Sequence, residues 1–157
     1  MLTMIFACDL DNAIGKNGDL PWRQSTDLQH FKQITIGGTI VMGRKTWDSL
    51  PGVLPNRRHL VMSRNNLDAV ETITFDGVLK LSETDEIFII GGGEIYSLFL
   101  PHADKIHRTI IHCKVNNADT YAPMIDYEEF IVKNSKFVEK SARDDHDMTF
   151  ELLVRID

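Results

Sequence analysis

Two spacings of apolar residues alternate along this chain. Short runs rich in apolar and β-branched residues, of which Ile87-Phe88-Ile89-Ile90 is an example, alternate with stretches whose apolar positions are three or four residues apart. Runs of the first kind are typical of buried strands, and stretches of the second kind are typical of amphipathic helices. Strands are predicted at Leu2–Cys8, Thr39–Met42, His59–Ser63, Thr72–Phe75, Glu86–Ile90, Lys105–Cys113, Glu129–Lys140 and Met148–Ile156.

Helices are predicted at Thr26–Ile36, Lys45–Leu50 and Glu94–Leu100, with a short one in Asp76–Ser82. Strands that are continuously apolar suit a sheet covered on both faces, whereas the last two strands alternate more and flank a polar turn, Arg143–Asp147. The pattern therefore predicts an α/β fold with a doubly wound, mostly parallel central sheet of about eight strands. We expect an antiparallel C-terminal edge hairpin and about four flanking helices, all in a single domain over residues 1–157.

One carboxylate in the first helix is the leading candidate for chemistry. Ser25 or Thr26 is predicted as the helix N-cap, and Asp27 and Phe31 follow one turn apart on the same face. Acidic residues are common in first turns because they meet the positive end of the helix dipole. Asp27 is therefore either a solvated first-turn residue or the polar centre of an apolar pocket.

A triple glycine, Gly91-Gly92-Gly93, separates a strand from the helix that begins near Glu94. Glycines let backbone amides approach a phosphate closely, and a helix N-terminus presents unpaired N–H groups to it. The run does not match the G-x-G-x-x-G pattern, because Ile95 and Tyr96 stand where the last spacer and the last glycine would be. A tight strand-to-helix turn without a ligand is the alternative.

Cations follow two other predicted strands. One strand leads into Gly43-Arg44-Lys45-Thr46, and another ends in Ser63-Arg64. Such cations are either solvated or, because strand ends meet at one edge of a sheet, part of a pocket for a dianionic phosphate. The second interpretation favours NADPH over NADH as a cofactor.

Composition narrows the class of protein. The formal net charge of −6 argues against nucleic acid as a partner. Cys8 and Cys113 lie in apolar runs without a C-x-x-C spacing, so we expect two buried thiols. The N-terminus is apolar but short and lacks a basic region, which predicts a first strand and not a signal peptide. We expect a cytoplasmic protein without a membrane segment.

No metal site is predicted. His107 and His112 are five residues apart on one strand and so face opposite sides of the sheet. The acidic run Asp144-Asp145-His146-Asp147 could hold a cation, but a solvated hairpin turn is the interpretation that its composition favours.

Taken in order, these motifs resemble the bacterial-type dihydrofolate reductase family. The matching positions span essentially the whole chain: Ala7; Asn12 with Ile14-Gly15; Pro21-Trp22; Asp27-Leu28 with Phe31-Lys32; Val41-Met42-Gly43-Arg44-Lys45-Thr46-Trp47; Leu54-Pro55 with Arg57; Ser63-Arg64; Ile90-Gly91-Gly92-Gly93-Glu94-Ile95-Tyr96; Thr109; and Asp119-Thr120. Each motif alone is weak, but the ordered set is specific.

The resemblance implies hydride transfer from NADPH to C6 of 7,8-dihydrofolate and protonation at N5. It implies a catalytic role for Asp27, with Thr109 bonded to that carboxylate, Trp22 organising a water nearby and Tyr96 beside the nicotinamide. Leu20 stands in the mobile loop, Asp9–Gln24, where the family often has methionine. The substrate contacts that the resemblance implies are Ile5, Ala7, Asp27, Leu28, Phe31, Lys32, Leu54, Arg57, Ile90 and Thr109.

Arg57 is the implied clamp for the glutamate carboxylate of the substrate, and Lys32 could assist it. A cis peptide is implied between Gly91 and Gly92. The implied cofactor contacts are Ala7, Ile14, Gly15, Gly43, Arg44, Lys45, Thr46, Ser63, Arg64, Gly91, Gly92, Gly93, Glu94, Ile95 and Tyr96.

The resemblance also implies a small-molecule substrate, sensitivity to antifolate inhibitors and a monomer. Two alternatives stay open at the level of sequence. One is a pterin- or pyrimidine-type NADPH reductase on a similar sheet, which would not need Arg57. The other is a non-catalytic module that binds NADPH or folate, which would tolerate loss of Asp27 or of the glycine turn.

Overall fold

A computed structural model describes residues 1–17 and 19–157. Within these residues eight strands form one sheet, in the order β5-β4-β3-β6-β1-β7-β10-β9. Neighbours from β5 through to β7 are parallel, and β10 pairs antiparallel with both β7 and β9. The strands of this sheet are β1 (Leu2–Cys8), β3 (Thr39–Gly43), β4 (Arg58–Met62), β5 (Glu71–Ile73), β6 (Ile87–Gly91), β7 (Lys105–Ile111), β9 (Phe130–Val138) and β10 (Met148–Arg155).

Helices cover both faces of the sheet, as the continuously apolar strands predicted. They are α1 (Ser25–Thr35), α2 (Arg44–Ser49), α3 (Phe75–Ser82) and α4 (Gly93–Phe99), and a 3-10 turn (Leu100–His102) follows α4. Alternate residues of one strand serve different cores: Met4 belongs to the cluster that includes Phe99 of α4, and Ile5 belongs to the cluster that includes Phe31 of α1. The predicted α/β sheet with an antiparallel C-terminal edge is confirmed.

The parallel strands bring their carboxyl ends to one edge of the sheet. Gly43 at the end of β3 is in register with Met62 of β4, and Met42 is in register with Gly91 of β6. On the other side of β6, Ala7 of β1 is in register with Thr109 of β7. This edge carries the three strand ends singled out in the sequence, which is where ligands bind in sheets of this kind.

A second, two-stranded sheet was not predicted. The strand β2 (Ala13–Gly15) lies inside the segment expected to be a loop, and it pairs antiparallel with β8 (Thr120–Tyr121). Both strands are too short to show an alternating pattern. Gly18, in the same predicted loop, lies outside the described residues.

Smaller predictions had mixed outcomes. The predicted strand Thr72–Phe75 ends at Ile73, because Thr74 is the N-cap of α3 and its Oγ1 accepts a hydrogen bond from the N–H of Gly77. Cys8 is buried as expected, but Cys113 is only half-buried. In the part of the chain that the structure describes, no helix is both long and apolar enough to cross a membrane.

Candidate active site

A carboxylate on α1 and a hydroxyl on β7 form the centre of the site. The Oγ1 of Thr109 donates a hydrogen bond of 2.7 Å to Oδ1 of Asp27. Thr109 is buried in the sheet beside Ala7, and Asp27 is half-buried in the first turn of α1. The structure therefore favours the pocket over the solvated first turn as the setting of Asp27.

The electrostatics of Asp27 follow from this position. Burial disfavours the charged carboxylate and raises the pKa of Asp27 to about 6. The hydrogen bond from Thr109 lowers the pKa of Asp27, and the negative charge of Asp144 raises it. A carboxyl group with a pKa near 6 can both hold and release a proton close to neutral pH, as a general acid must.

The apolar walls predicted for this carboxylate come from several segments of the chain. Most of them belong to a single apolar cluster, whose members include Ile5, Phe31, Leu54 and Ile90. Leu28 differs, because 60% of its surface is exposed on α1. Its side chain, next to Asp27 in the chain, is therefore available for contact with a bound molecule.

Arg57 is held at the far end of α1. Its Nε donates to the carbonyl of Pro55 at 3.1 Å, and its Nη1 donates to Oγ1 of Thr35 at 3.2 Å. Burial lowers the pKa of Arg57, yet a guanidinium keeps its charge because its ordinary pKa lies above about 12. The group is thus oriented by neutral acceptors, and its charge is free to meet an anion. Lys32 lies exposed on α1.

The glycine turn has the backbone geometry that the resemblance implied. The peptide bond between Gly91 and Gly92 is cis, and Gly91 has a φ of +124°. A Cβ atom at Gly93 would lie 3.1 Å from Cγ2 of Thr120. A Cβ atom at Gly43 would lie 3.1 Å from Cγ1 of Ile95, so the end of β3 closely approaches the start of α4.

The polar residues of the two cationic motifs lie at the same edge of the sheet as this turn. A Cβ atom built on Gly92 would lie 3.7 Å from Oγ1 of Thr46. Lys45 is exposed in the first turn of α2, Arg64 is exposed just after β4, and Arg44 makes an exposed ion pair of 3.6 Å with Asp48. Ser63 accepts a hydrogen bond from the N–H of Asn65 through Oγ. Glu94 is exposed in the first turn of α4.

Tyr96 of α4 is buried and bonded to the sheet. Its hydroxyl donates to the carbonyl of Ile5 at 2.7 Å, and its ring lies 5.3 Å from that of Phe6. Burial, aided by the charge of Asp27, raises the pKa of Tyr96 beyond its ordinary range. The hydroxyl is therefore a fixed structural donor and not a proton source near neutral pH.

The predicted mobile loop is anchored on the rest of the site by its polar backbone groups. The N–H of Asn17 donates to Oδ2 of Asp119 at 2.7 Å, and the N–H of Asp119 donates to the carbonyl of Gly15 at 3.1 Å. Ile14 packs against the main apolar core. Leu20 is 56% exposed. Trp22 is half-buried, and among the described residues no hydrogen bond joins it to Asp27.

Sequence reasoning missed how the start of α1 is held. The prediction of Ser25 or Thr26 as the N-cap was wrong: the N-cap is Gln24, and within residues 1–17 and 19–157 its side chain makes no capping hydrogen bond. Asp144 supplies the acceptor instead, since its Oδ1 accepts the N–H of Thr26 at 2.9 Å. Thr26 and Asp144 are 118 positions apart, and a contact over such a distance leaves no periodic pattern in the sequence from which it could be predicted.

The acidic run lies in the hairpin turn between β9 and β10, as predicted, but the expectation that it is solvated was wrong for Asp144. Asp144 is only 7% exposed, and its Oδ2 accepts hydrogen bonds from Oγ1 of Thr26 at 2.6 Å and from Ser141. Asp145 accepts the N–H of Arg23 at 2.7 Å. The charges of this turn are used as acceptors for backbone and hydroxyl groups of the loop and of α1.

Comparison with known proteins places these features in one family. The family model described as "Dihydrofolate reductase" matches residues 1–155. A protein of Haemophilus influenzae named dihydrofolate reductase is 34% identical over 157 residues, with 98% of each chain covered. The protein of that name from Bacillus subtilis is 35% identical, over 96% of this chain and 92% of its own length.

Solved structures agree with the sequences. A dihydrofolate reductase from Enterococcus faecalis, complexed with NADP(H) and RAB-propyl, superposes with a TM-score of 0.92. The two proteins share 29% sequence identity, and the match covers 100% of this chain and 97% of the other. The likeness of fold thus extends over the whole chain.

Proposed function

This chain belongs to the dihydrofolate reductase family, and from that premise we propose that it reduces 7,8-dihydrofolate with NADPH by hydride transfer to C6 and protonation at N5. One observation carries the proposal: the half-buried carboxyl group of Asp27 is bonded to Thr109, and burial raises the pKa of Asp27 to about 6. Taking a carboxylate out of water disfavours the folded state, so its presence here favours a functional role.

Asp27 has two tasks in this proposal. As a carboxylate it accepts hydrogen bonds from the 2-amino group and a ring N–H of the pterin, and Thr109 keeps one of its oxygens in place. As a carboxylic acid near its pKa of about 6 it is the source of the proton that reaches N5 through water. Ile5, Phe31 and Ile90 exclude bulk water from the ring, which strengthens both interactions.

Arg57 sets the substrate class. Its guanidinium is fixed by Pro55 and Thr35 and presents a planar, charged group that suits a carboxylate. We assign it to the α-carboxylate of the glutamate tail, with Lys32 as a second positive charge. A pterin without that tail would leave this arrangement unused, which favours a folate.

The strand ends suit a phosphate-rich dinucleotide. A side chain at Gly43 or Gly93 would be tightly packed, so glycine suits the close approach of backbone at this edge, and the residues that would hold NADPH are those predicted from sequence, including Arg44, Thr46 and Arg64. Bound NADPH supplies the hydride. Tyr96 positions the adjacent carbonyl of Ile5, and the loop carrying Ile14 and Leu20 closes over the nicotinamide.

The experiment combines purified protein, dihydrofolate and NADPH deuterated at the transferable C4 position. We expect consumption of NADPH that requires dihydrofolate and a tetrahydrofolate product with deuterium at C6. Tight binding of both ligands without consumption would favour the binding module. Consumption with a reduced pterin that lacks the glutamate tail, but not with dihydrofolate, would favour the pterin reductase. Binding of antifolate inhibitors and a monomeric state belong to the same proposal.

A further inference from the structure

We propose that Asp144, in the turn between β9 and β10, is a positioning residue that fixes the first turn of α1 and thereby holds Asp27 against Thr109. The inference rests on the proposed function, because Asp27 matters as the group that meets the substrate. Asp144 is not among the predicted ligand contacts, and it lies more than a hundred positions from Asp27 in the sequence.

The helix that carries Asp27 does not cap itself. The side chain of Gln24, at the N-cap, is bonded to His146 instead: its Nε2 donates to the carbonyl at 2.9 Å, and its Oε1 accepts the N–H at 2.8 Å. The free N–H groups of the first turn need acceptors, since an unpaired group at a buried helix end is costly. The β9–β10 turn supplies acceptors for these N–H groups.

The carbonyl of Arg143 accepts the N–H of Ser25 at 3.4 Å, and Asp144 accepts the N–H and the hydroxyl of Thr26. Oδ1 accepts the N–H of Thr26, and Oδ2 accepts Oγ1 of Thr26 at 2.6 Å together with the N–H and Oγ of Ser141, each at 2.8 Å. Thr26 directly precedes Asp27. The backbone of Asp27 is thus fixed from the β9–β10 turn, while its side chain is fixed from β7 by Thr109.

The two carboxylates also have opposite titration behaviour. Burial opposes ionisation of Asp144, but the hydrogen bonds from Thr26 and Ser141 outweigh it and hold the pKa of Asp144 well below its usual range. Asp144 is therefore a permanent negative charge, whereas the pKa of Asp27 is raised to about 6, in part by that charge. When the environments of two neighbouring acids drive their pKa values apart, one acid remains ionised and the other can exchange a proton near neutral pH.

Other groups near Asp27 do not supply this effect. Thr109 lowers the pKa of Asp27, and Cys8 and Tyr96 are neutral groups whose own pKa values are raised by burial and by the charge of Asp27. Asp147, in the same turn as Asp144, accepts the N–H of Lys140 within the hairpin. Removing the charge of Asp147 is therefore the matched control for removing that of Asp144.

The test compares Asp144→Asn with Asp147→Asn. The pKa of Asp27 is measured by carboxyl 13C NMR titration without ligands, and kcat for dihydrofolate is measured against pH. The Asn side chain removes the charge but keeps an oxygen that can accept the N–H of Thr26, so the bond between Thr109 and Asp27 should be retained. For Asp144→Asn we therefore expect a lower pKa of Asp27 and a pH profile displaced to lower pH by the same amount. Above the pKa, each unit of displacement lowers kcat about tenfold, because the protonated fraction falls tenfold. Asp147→Asn is expected to match wild type in both readouts.

A folded Asp144→Asn protein whose Asp27 titrates as in wild type, with the same pH profile, would refute the effect of the Asp144 charge on Asp27. Thr26→Val tests the positioning itself, and also decides if Asp144→Asn does not fold, because it removes one hydrogen bond to Asp144 and keeps the volume and both charges. We expect a KM for dihydrofolate raised by roughly 3- to 10-fold for loss of one such bond, restored in Thr26→Ser; an unchanged KM would refute it. Failure of wild type to consume NADPH would refute the proposed function instead, and the NMR titration would still decide the role of Asp144.

Discussion

Thr109 and Asp27 are joined by a hydrogen bond of 2.7 Å although they are 82 positions apart in the chain. The bond links the central sheet to the first turn of α1 at a place where apolar residues from both elements meet. It keeps a carboxylate ionisable in surroundings that disfavour its charge. The predictions below start from the balance between those two effects.

Removing the charge of Asp27 should stabilise the protein at neutral pH. The folded-state pKa of about 6 exceeds the ordinary 3.8, so the stabilising contribution of protonated Asp27 is complete below 3.8 and is lost as pH rises through about 6. Asp27→Asn keeps an acceptor for Thr109 and should raise the free energy of unfolding at pH 7 by about 1–3 kcal/mol. Urea unfolding measures this.

The same comparison below pH 3.8 is the control, because both side chains are then neutral and the difference should vanish. An Asn variant that is no more stable than wild type at neutral pH would contradict the argument that burial raises the pKa of Asp27. Asp144 and the other acids are common to both proteins and cancel in the difference.

Thr109→Val should raise the pKa of Asp27 further. The hydroxyl stabilises the ionised carboxylate, and valine has nearly the same volume without a donor. The carboxyl 13C titration of Asp27 should move to higher pH in the Val variant and stay near the wild-type position in Thr109→Ser. A titration at lower pH in Thr109→Val would show that the bond does not favour the charged form.

Arg57→Leu should weaken binding of folates only. Loss of a charged, hydrogen-bonded carboxylate partner costs about 1.5–3 kcal/mol, so the KM for dihydrofolate should rise roughly 10- to 100-fold. The KM for dihydropteroate, which lacks the glutamate tail, should change little. Arg58→Leu is the neighbouring control, because Arg58 is committed to an exposed pair with Glu71 at 2.9 Å. Equal losses with both substrates would refute the assignment of Arg57 to the tail.

Arg64→Gln should reduce the preference for NADPH over NADH. The exposed guanidinium follows β4 at the edge that also carries Thr46 and the glycine turn, where it suits a ribose phosphate. We expect the ratio of kcat/KM values for the two cofactors to fall about tenfold, with kcat/KM for NADH unchanged. Lys133→Gln, on the distant edge strand β9, controls for the loss of one positive charge.

The sequence predicted the sheet because its strands leave local signals. Apolar runs such as Ile87–Ile90 are long enough to mark buried strands, and glycine or cation motifs directly after a strand indicate a candidate site at that end. The helix that carries Asp27 was predicted from its spacing alone. Because the carboxyl ends of parallel strands lie at one edge of the sheet, the fold itself predicts that these motifs lie close together.

What the sequence did not reveal depends on contacts between distant segments. The pairing of β2 with β8 involves strands too short to show a pattern. In the sequence, the segment that contains Asp144 looks like an ordinary polar turn, so its capping of α1 could not be predicted. The hydroxyl residues Ser25 and Thr26 suggested a local N-cap instead, which the folded chain does not use. Burial of Asp144, and the shift in its pKa, arise only when the turn packs on the helix.

The most direct test of the central claim is the rate of NADPH oxidation with dihydrofolate, for wild type and Asp27→Asn, from mildly acidic to neutral pH. We expect wild type to turn over at neutral pH and the variant to be severely impaired there. The variant should recover partly in acid, because the substrate can then arrive already protonated. Equal rates for the two proteins at every pH would contradict the role of Asp27, and absence of NADPH oxidation by wild type would contradict the reaction itself.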